Sequence, residues 1–329
     1  MGFELLYDTY HLGISERRAA WFTKWAEEVA SSHTINTASF EEGLGLLMYV
    51  AGALEYERPF LSPLYSFLSL HPRGAVRKVP AYVKHFLRYL ARQVSQSRHY
   101  NCATTMRPWD TAPRVDAQAS EGRTGIGGWA PELDEDGRPD PWRSRWYSHE
   151  ITKEEWPWIF ERGEKPARVI STIEALAVLM GLKLFYGDEA QGAHARIQMI
   201  PSFTDNRGNG SALNKLMSTK YPSSAVVMEL ACYLKRMGIK AVVDWAPRTA
   251  NYEADELANG KTSRFDPAKR LFFKASDVWW DILPEALQRG REMESECQRA
   301  LAGGCVRPDR TRKQKKRKLE DRLRVKDPW

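Results

Sequence analysis

Apolar residues recur every three or four positions from Ile14 to about residue 96, the period of helices with one buried face. Ser15 precedes one such stripe, formed by Ala19, Trp21, Phe22, Trp25, Ala26 and Val29, and stands where a helix N-cap is expected. Thr37 opens a second, with Phe40, Leu44, Leu47, Met48 and Ala51. Pro59, Pro63 and Pro72 punctuate the next stretch of chain, and a third amphipathic segment covers 82–94. No alternating pattern occurs in this part, so it is expected to be helical throughout.

The pattern changes near Pro108. Segment 114–119 reads as a strand, 121–125 as a turn and 126–130 as the returning strand. Residues 131–145, rich in Pro, Asp, Gly and Arg, read as an exposed loop, and 146–152 as a third strand. Then come a helix over 171–185, a strand over 196–204, helices over 211–217 and 224–237, and a strand over 239–245. Asn251 is placed to cap a last helix that stops at Gly260. The order β-β-β-α-β-α-α-β-α predicts an α/β fold with a mixed sheet and helices on its faces. A helical extension follows residue 263 and includes 284–299. The divisions expected are 1–105, helical; 110–262, α/β; 263–305, helical extension; and 306–329, a basic disordered tail.

Hydrophobic content of 43% and charged content of 28% are ordinary for a globular protein. The longest unbroken apolar run, 43–54, is shorter than the roughly 18–20 residues of a membrane span, so no membrane partner is expected. No basic-then-apolar leader is seen, and Cys102, Cys232, Cys297 and Cys305 form no C-x-x-C pair. A disulfide framework or zinc site is therefore not expected, and a nuclear or cytoplasmic location is. The net charge of +7 resides in one place: residues 307–327 hold eleven Lys/Arg and four Asp/Glu, and the remainder is balanced at 38 of each. The cluster 312–318 fits an import signal, a nucleic-acid arm or a tail without a partner.

Four carboxylates bear on chemistry. Glu174 is the only charged side chain between Val169 and Leu182. An isolated carboxylate among such neighbours needs compensation, which a metal ion would supply; a narrow exposed helix face would serve equally. Asp205 follows an apolar strand, where ligands gather in α/β sheets, although a helix-capping role reads as well. Asp255 lies in the first turn of the last helix, where acidic residues also suit the helix dipole. Asp116 interrupts a strand, a position that disfavours Asp.

Taken together, the phrases Asp116-Ala-Gln-Ala-Ser120 with Gly125-Ile-Gly-Gly-Trp129, Ser171-Thr-Ile-Glu-Ala175, Phe203-Thr-Asp-Asn206, and Ala246-Pro-Arg248 with Asn251-Tyr-Glu-Ala-Asp-Glu-Leu-Ala258 resemble the ribonuclease H superfamily over nearly 150 residues. The resemblance implies a central five-stranded sheet with the four carboxylates converging. Gln118 argues against the proofreading exonucleases, which carry Asp-x-Glu there, and the final Asp argues against integrases. The set looks like ribonuclease H as fused to reverse transcriptases. By resemblance, two Mg²⁺ or Mn²⁺ ions would assist hydrolysis of the RNA strand of an RNA–DNA hybrid. Asp116 would bridge them, Glu174 and Asp205 would hold the ion near the leaving oxygen, and Asp255 would support the ion carrying the attacking water. Asn206, Arg207, Asn209 and Arg248 are candidate substrate contacts, with ordinary loop polarity as the alternative. The stretch Trp245-Ala-Pro-Arg-Thr-Ala250 lacks the His that many members carry there, which lowers the expected rate.

Thr37-Ala-Ser-Phe40, the run Gly43-Leu-Gly-Leu-Leu47 and Arg58-Pro-Phe-Leu-Ser-Pro-Leu-Tyr-Ser-Phe67 resemble the thumb and connection of retroelement reverse transcriptases, closest to those of elements that encode a tyrosine recombinase. Met48-Tyr-Val-Ala-Gly52 has Ala51 and Gly52 where a polymerase palm needs aspartates, so no polymerase centre is expected. A palm domain acting in trans is an implied partner. The competing function class is an RNase H-like module that binds nucleic acid or protein without hydrolysis.

Overall fold

The computed structural model describes residues 3–120, 122–161, 165–187 and 197–302, without the side chains of Arg207 and Leu301. The basic cluster 312–318 therefore lies outside the described residues. In chain order the first part contains β1 (Glu4–Leu6), β2 (His11–Gly13), α1 (Glu16–Ser31), β3 (Thr34–Asn36), α2 (Thr37–Ala53), α3 (Ser62–Ser69), β4 (Val76–Lys78), α4 (Ala81–Gln96), β5 (His99–Asn101) and β6 (Thr104–Met106). The second contains β7 (Arg114–Ser120), β8 (Arg123–Leu133), β9 (Pro139–Glu150), α5 (Pro157–Phe160), α6 (Ile170–Tyr186), β10 (Ile197–Thr204), α7 (Arg207–Asn214), α8 (Ser223–Met237), β11 (Ile239–Trp245), α9 (Tyr252–Ala258) and α10 (Leu283–Ala302).

The helical reading of the first part holds for α1, α2 and α4 but misses six strands of three residues each. β1, β2 and β5 form one small antiparallel sheet, and β3 pairs with β4 in another. Strands this short show too few alternations to be seen as a pattern. Ser15 occupies the N-cap of α1 but makes no side-chain capping bond.

The main sheet runs β11-β10-β7-β8-β9, antiparallel on the β7–β8–β9 side and parallel on the other. This is the mixed sheet with helices on its faces that the sequence pattern implies. It has one addition: β6 pairs in parallel with the start of β10, beside which β7 bonds only at Phe203–Arg114. The exposed loop expected over 131–145 is instead the far end of a long hairpin. β8 and β9 continue past a bulge at Ala130/Glu132, and the turn is closed by Asp134, whose carboxylate accepts from the N–H groups of Asp136 and Arg138. The polar composition arises because much of this end of the hairpin is solvent-exposed, not because it is irregular.

The stretch Pro166–Tyr186, which contains α6, is long and apolar enough to cross a membrane, yet 72% of its most apolar window is buried inside the protein. It lies against β7 so closely that a Cβ on Gly181 would stand 2.9 Å from Val115 Cγ1. The helical part packs against α8 and the start of β11 and shares the main apolar core with them. Tyr56 donates to the Ile239 carbonyl at 3.2 Å, and Lys235 bridges Glu57 and Gln93 at 2.8 and 2.7 Å.

The C-terminal extension is tied in by a buried charge. Glu229, fully buried on α8, accepts from the N–H groups of Asp281, Ile282 and Leu283 at the start of α10 and from Lys183 Nζ at 2.8 Å. Four donors compensate the carboxylate and satisfy amides that the helix itself leaves open. Glu229→Ala is expected to destabilise the fold by roughly 3–5 kcal/mol, because Lys183 is then buried without its partner. A urea denaturation midpoint unchanged from wild type would refute that reading.

Candidate active site

β7 places Asp116 at the centre of the sheet with 5% exposure, its Oδ1 accepting from the Ala117 N–H at 2.8 Å. Directly across the ladder is Gly127. A Cβ there would stand 2.3 Å from the Ala258 nitrogen, so only glycine lets α9 lie on this face of the sheet. α9 carries Asp255. Its entry is fixed by Asn251, which is fully buried and donates to the Val115 carbonyl at 3.0 Å. The expected capping role of Asn251 is thus corrected: it sits at the N-cap but makes no side-chain capping bond, and pins the helix to the neighbour of Asp116 instead.

Asp205 stands one residue beyond β10, and its carbonyl accepts from the Trp245 indole at 2.9 Å. Glu174 lies in α6, where Oε2 accepts from Asn209 Nδ2 at 2.8 Å. Asn209 also donates to the Ser171 carbonyl and is 5% exposed, so it fixes Glu174 from behind and does not stand in solvent as a substrate contact would. Asn206 caps α7 by accepting from the Asn209 N–H and hydrogen-bonds Glu174 as well. Arg248, largely exposed, donates through Nε and Nη2 to Asp255 Oδ1. The side chain of Arg207 is not among the described atoms.

The four carboxylates act on one another. Burial first, then the charges of Asp205, Asp255 and Glu174, push the Asp116 carboxyl up to about 7, against the pull of its backbone hydrogen bond. Burial likewise raises Glu174 to about 7, with Asp205 adding to the rise while Asn206 and Asn209 oppose it. The sequence-predicted set is therefore brought into one electrostatic cluster centred on Asp116. The donors are all carboxylate oxygens, which suits a hard divalent cation. Among the described residues, no three His, Cys, Asp or Glu side chains are placed to share one ion. Asp255 is turned to Arg248 and Glu174 to Asn209.

No family model matches the sequence, and no curated protein does. Among solved structures, RNase H1 from the halophilic archaeon Halobacterium salinarum NRC-1 is similar at 15% identity, covering 46% of this chain and 96% of that one with a TM-score of 0.31. An N-terminal RNase H domain from Mycobacterium tuberculosis, solved as a fusion with maltose-binding protein, is similar at 14% identity, covering 49% and 94% with a TM-score of 0.31.

Sequence reasoning missed the packing residues around the cluster. Arg114 donates to the Ala250 carbonyl at 3.2 Å and lies 5.4 Å above the Trp129 ring, which braces the loop leading to α9. The glycines of Gly125-Ile-Gly-Gly-Trp129 were visible as a signal, but not the helix they admit. A groove of about 550 Å³ opens past the end of β7, lined by Ser120, Arg123, Thr124, Lys153 and Lys165 among others, with Glu150 paired to Arg123 on its wall.

Raised carboxyl pKa values make the folded chain hold protons that the unfolded chain releases. Stability from Asp116 and Glu174 is therefore highest below about pH 4, falls as pH rises to about 7, and is level above. In EDTA at pH 7.5, Asp116→Asn is expected to raise Tm by a few degrees, from roughly 2–4 kcal/mol of relieved burial and repulsion. A lower Tm, by scanning calorimetry, would show that the crowding is not a cost. Gly127→Ala is expected to do the reverse, lowering Tm by several degrees as α9 is pushed from the sheet.

Proposed function

We propose that this protein is a metal-dependent endonuclease that hydrolyses the RNA strand of RNA–DNA hybrids. One observation carries the reading: Asp205, Asp255 and Glu174 converge electrostatically on a buried Asp116 at the centre of an RNase H-like sheet. Such crowding costs stability and has no structural return. Divalent cations relieve it, and when bound as a pair they activate water and stabilise a leaving alkoxide. Asp116, Glu174, Asp205 and Asp255 would hold two Mg²⁺ or Mn²⁺ ions. Asn209 and Asn206 orient Glu174, and Asn251 fixes the helix bearing Asp255.

The groove beside β7 supports a nucleic-acid partner. Arg123, Lys153 and Lys165 offer charge, and Ser120 and Thr124 offer hydroxyls, to a phosphate backbone that passes the cluster. Residues 1–105 are read as the thumb and connection of a retroelement reverse transcriptase, 110–262 as its ribonuclease H unit, and a palm domain as a partner in trans. Asn206 and Arg207, at the start of α7, and Arg248 remain the proposed contacts to the hybrid.

The Arg248–Asp255 pair favours a second reading, a module that binds hybrid without cutting it. One assay separates the two. With a labelled RNA–DNA hybrid and Mg²⁺ or Mn²⁺, cutting of the RNA strand alone is expected, with none in EDTA and at least a hundredfold less for Asp205→Asn (roughly the loss of one charge-stabilising group). Hybrid binding without cutting would move the conclusion to the binding module. Cutting that survives Asp205→Asn would remove the site assignment.

A further inference from the structure

Arg248 belongs to a loop whose backbone is held at both ends. Trp245 is tied to the Asp205 carbonyl at 2.9 Å, Asn251 to the Val115 carbonyl at 3.0 Å, and Arg114 braces Ala250 between them. The side chain itself has room to turn: it is 67% exposed, whereas that of Asp255 is 23% exposed. Both of its donors reach the same oxygen, Asp255 Oδ1. The guanidinium thus sits where it neutralises one member of the carboxylate cluster, and it also lies in the fields of Asp116 and Asp205.

Resting on the metal-dependent reading above, we propose that Arg248 is an internal competitor for the divalent cation at Asp255. A guanidinium and a doubly charged ion drawn to the same carboxylate repel each other over a few ångströms in partly solvated surroundings. The ion gains Asp255 as the arginine leaves it. Rotation costs little, since exposed ion pairs are weak and the loop need not move. The released guanidinium needs a new anionic partner, and its planar fork suits a backbone phosphate. Arg248 is thus a positioning residue: it sets how much metal the cluster requires and ties completion of the site to arrival of a polyanion.

The test is Mn²⁺ titration of the full chain by calorimetry, without nucleic acid, for wild type, Arg248→Ala and Asp255→Asn, with Tm measured alongside. Arg248→Ala is expected to bind Mn²⁺ about three- to tenfold more tightly at the weaker site, with Tm in EDTA within about two degrees of wild type. Arg248→Lys, which keeps the charge and loses the fork, should stay closer to wild type. The gain should vanish in Arg248→Ala combined with Asp255→Asn, because the contested ligand is gone. Unchanged or weaker Mn²⁺ binding by Arg248→Ala, with wild-type binding intact, overturns the competition alone and assigns Arg248 to orienting Asp255. No Mn²⁺ binding by any form, at millimolar ion, overturns the metal-dependent reading and this inference with it.

Discussion

Mutual repulsion among four carboxylates is what the rest of this architecture has to withstand. Asp116 is buried and feels three acidic neighbours, and such crowding works against the packing that holds the group. The surrounding elements oppose that. α6 is clamped to β7 through the gap at Gly181, α9 to β8 through the gap at Gly127, and Asn251 links the α9 entry to Val115. Two of the acids are partly quenched by dedicated partners, Glu174 by Asn209 and Asp255 by Arg248. The charge cluster is thus held under load by packing and by bonds that a cation could replace.

The same economy appears away from the site. Glu57, 3% exposed, lies between the helical part and α8, matched by Lys235 and the Tyr100 hydroxyl. Glu229 and Lys183 do the same work between α8 and the C-terminal extension. Each buried charge has a partner from a different segment of the chain, so each specifies which segments meet. The main apolar core around them runs through both the helical part and the sheet part and would by itself tolerate many arrangements.

Much of this was legible in the sequence because period and chemistry coincide there. α6, α8, β10 and β11 fall where the apolar pattern places them, to within a few residues; Glu174 and Asp116 were singled out because their surroundings disfavour a carboxylate, and Asp205 and Asp255 by their places at a strand end and a helix start. What was not legible depends on contacts between distant residues. Arg248 and Asn209 read as polar loop residues, since nothing local says that their partners are Asp255 and Glu174. Strands of three residues leave no periodic trace. The 131–145 segment has the composition of a loop and the pairing of a hairpin, because β8 and β9 hold each other where the core gives them no pattern. The catalytic roles proposed for the four carboxylates rest on the resemblance and on their electrostatic convergence together, not on spacing.

The Glu229 cluster bears on how small a working piece of this protein can be. The sequence resemblance to ribonuclease H ends near Gly260, which invites a cut there. Such a fragment would strip Glu229 of the three backbone donors at the start of α10 and would strip Lys183 of the Trp279 carbonyl. It would also remove Phe265, which fills the aromatic cluster with Trp129 and Trp146 behind α9. The boundary of autonomy is therefore not the boundary of the motif: the smallest self-sufficient unit has to carry the chain at least through the first turns of α10.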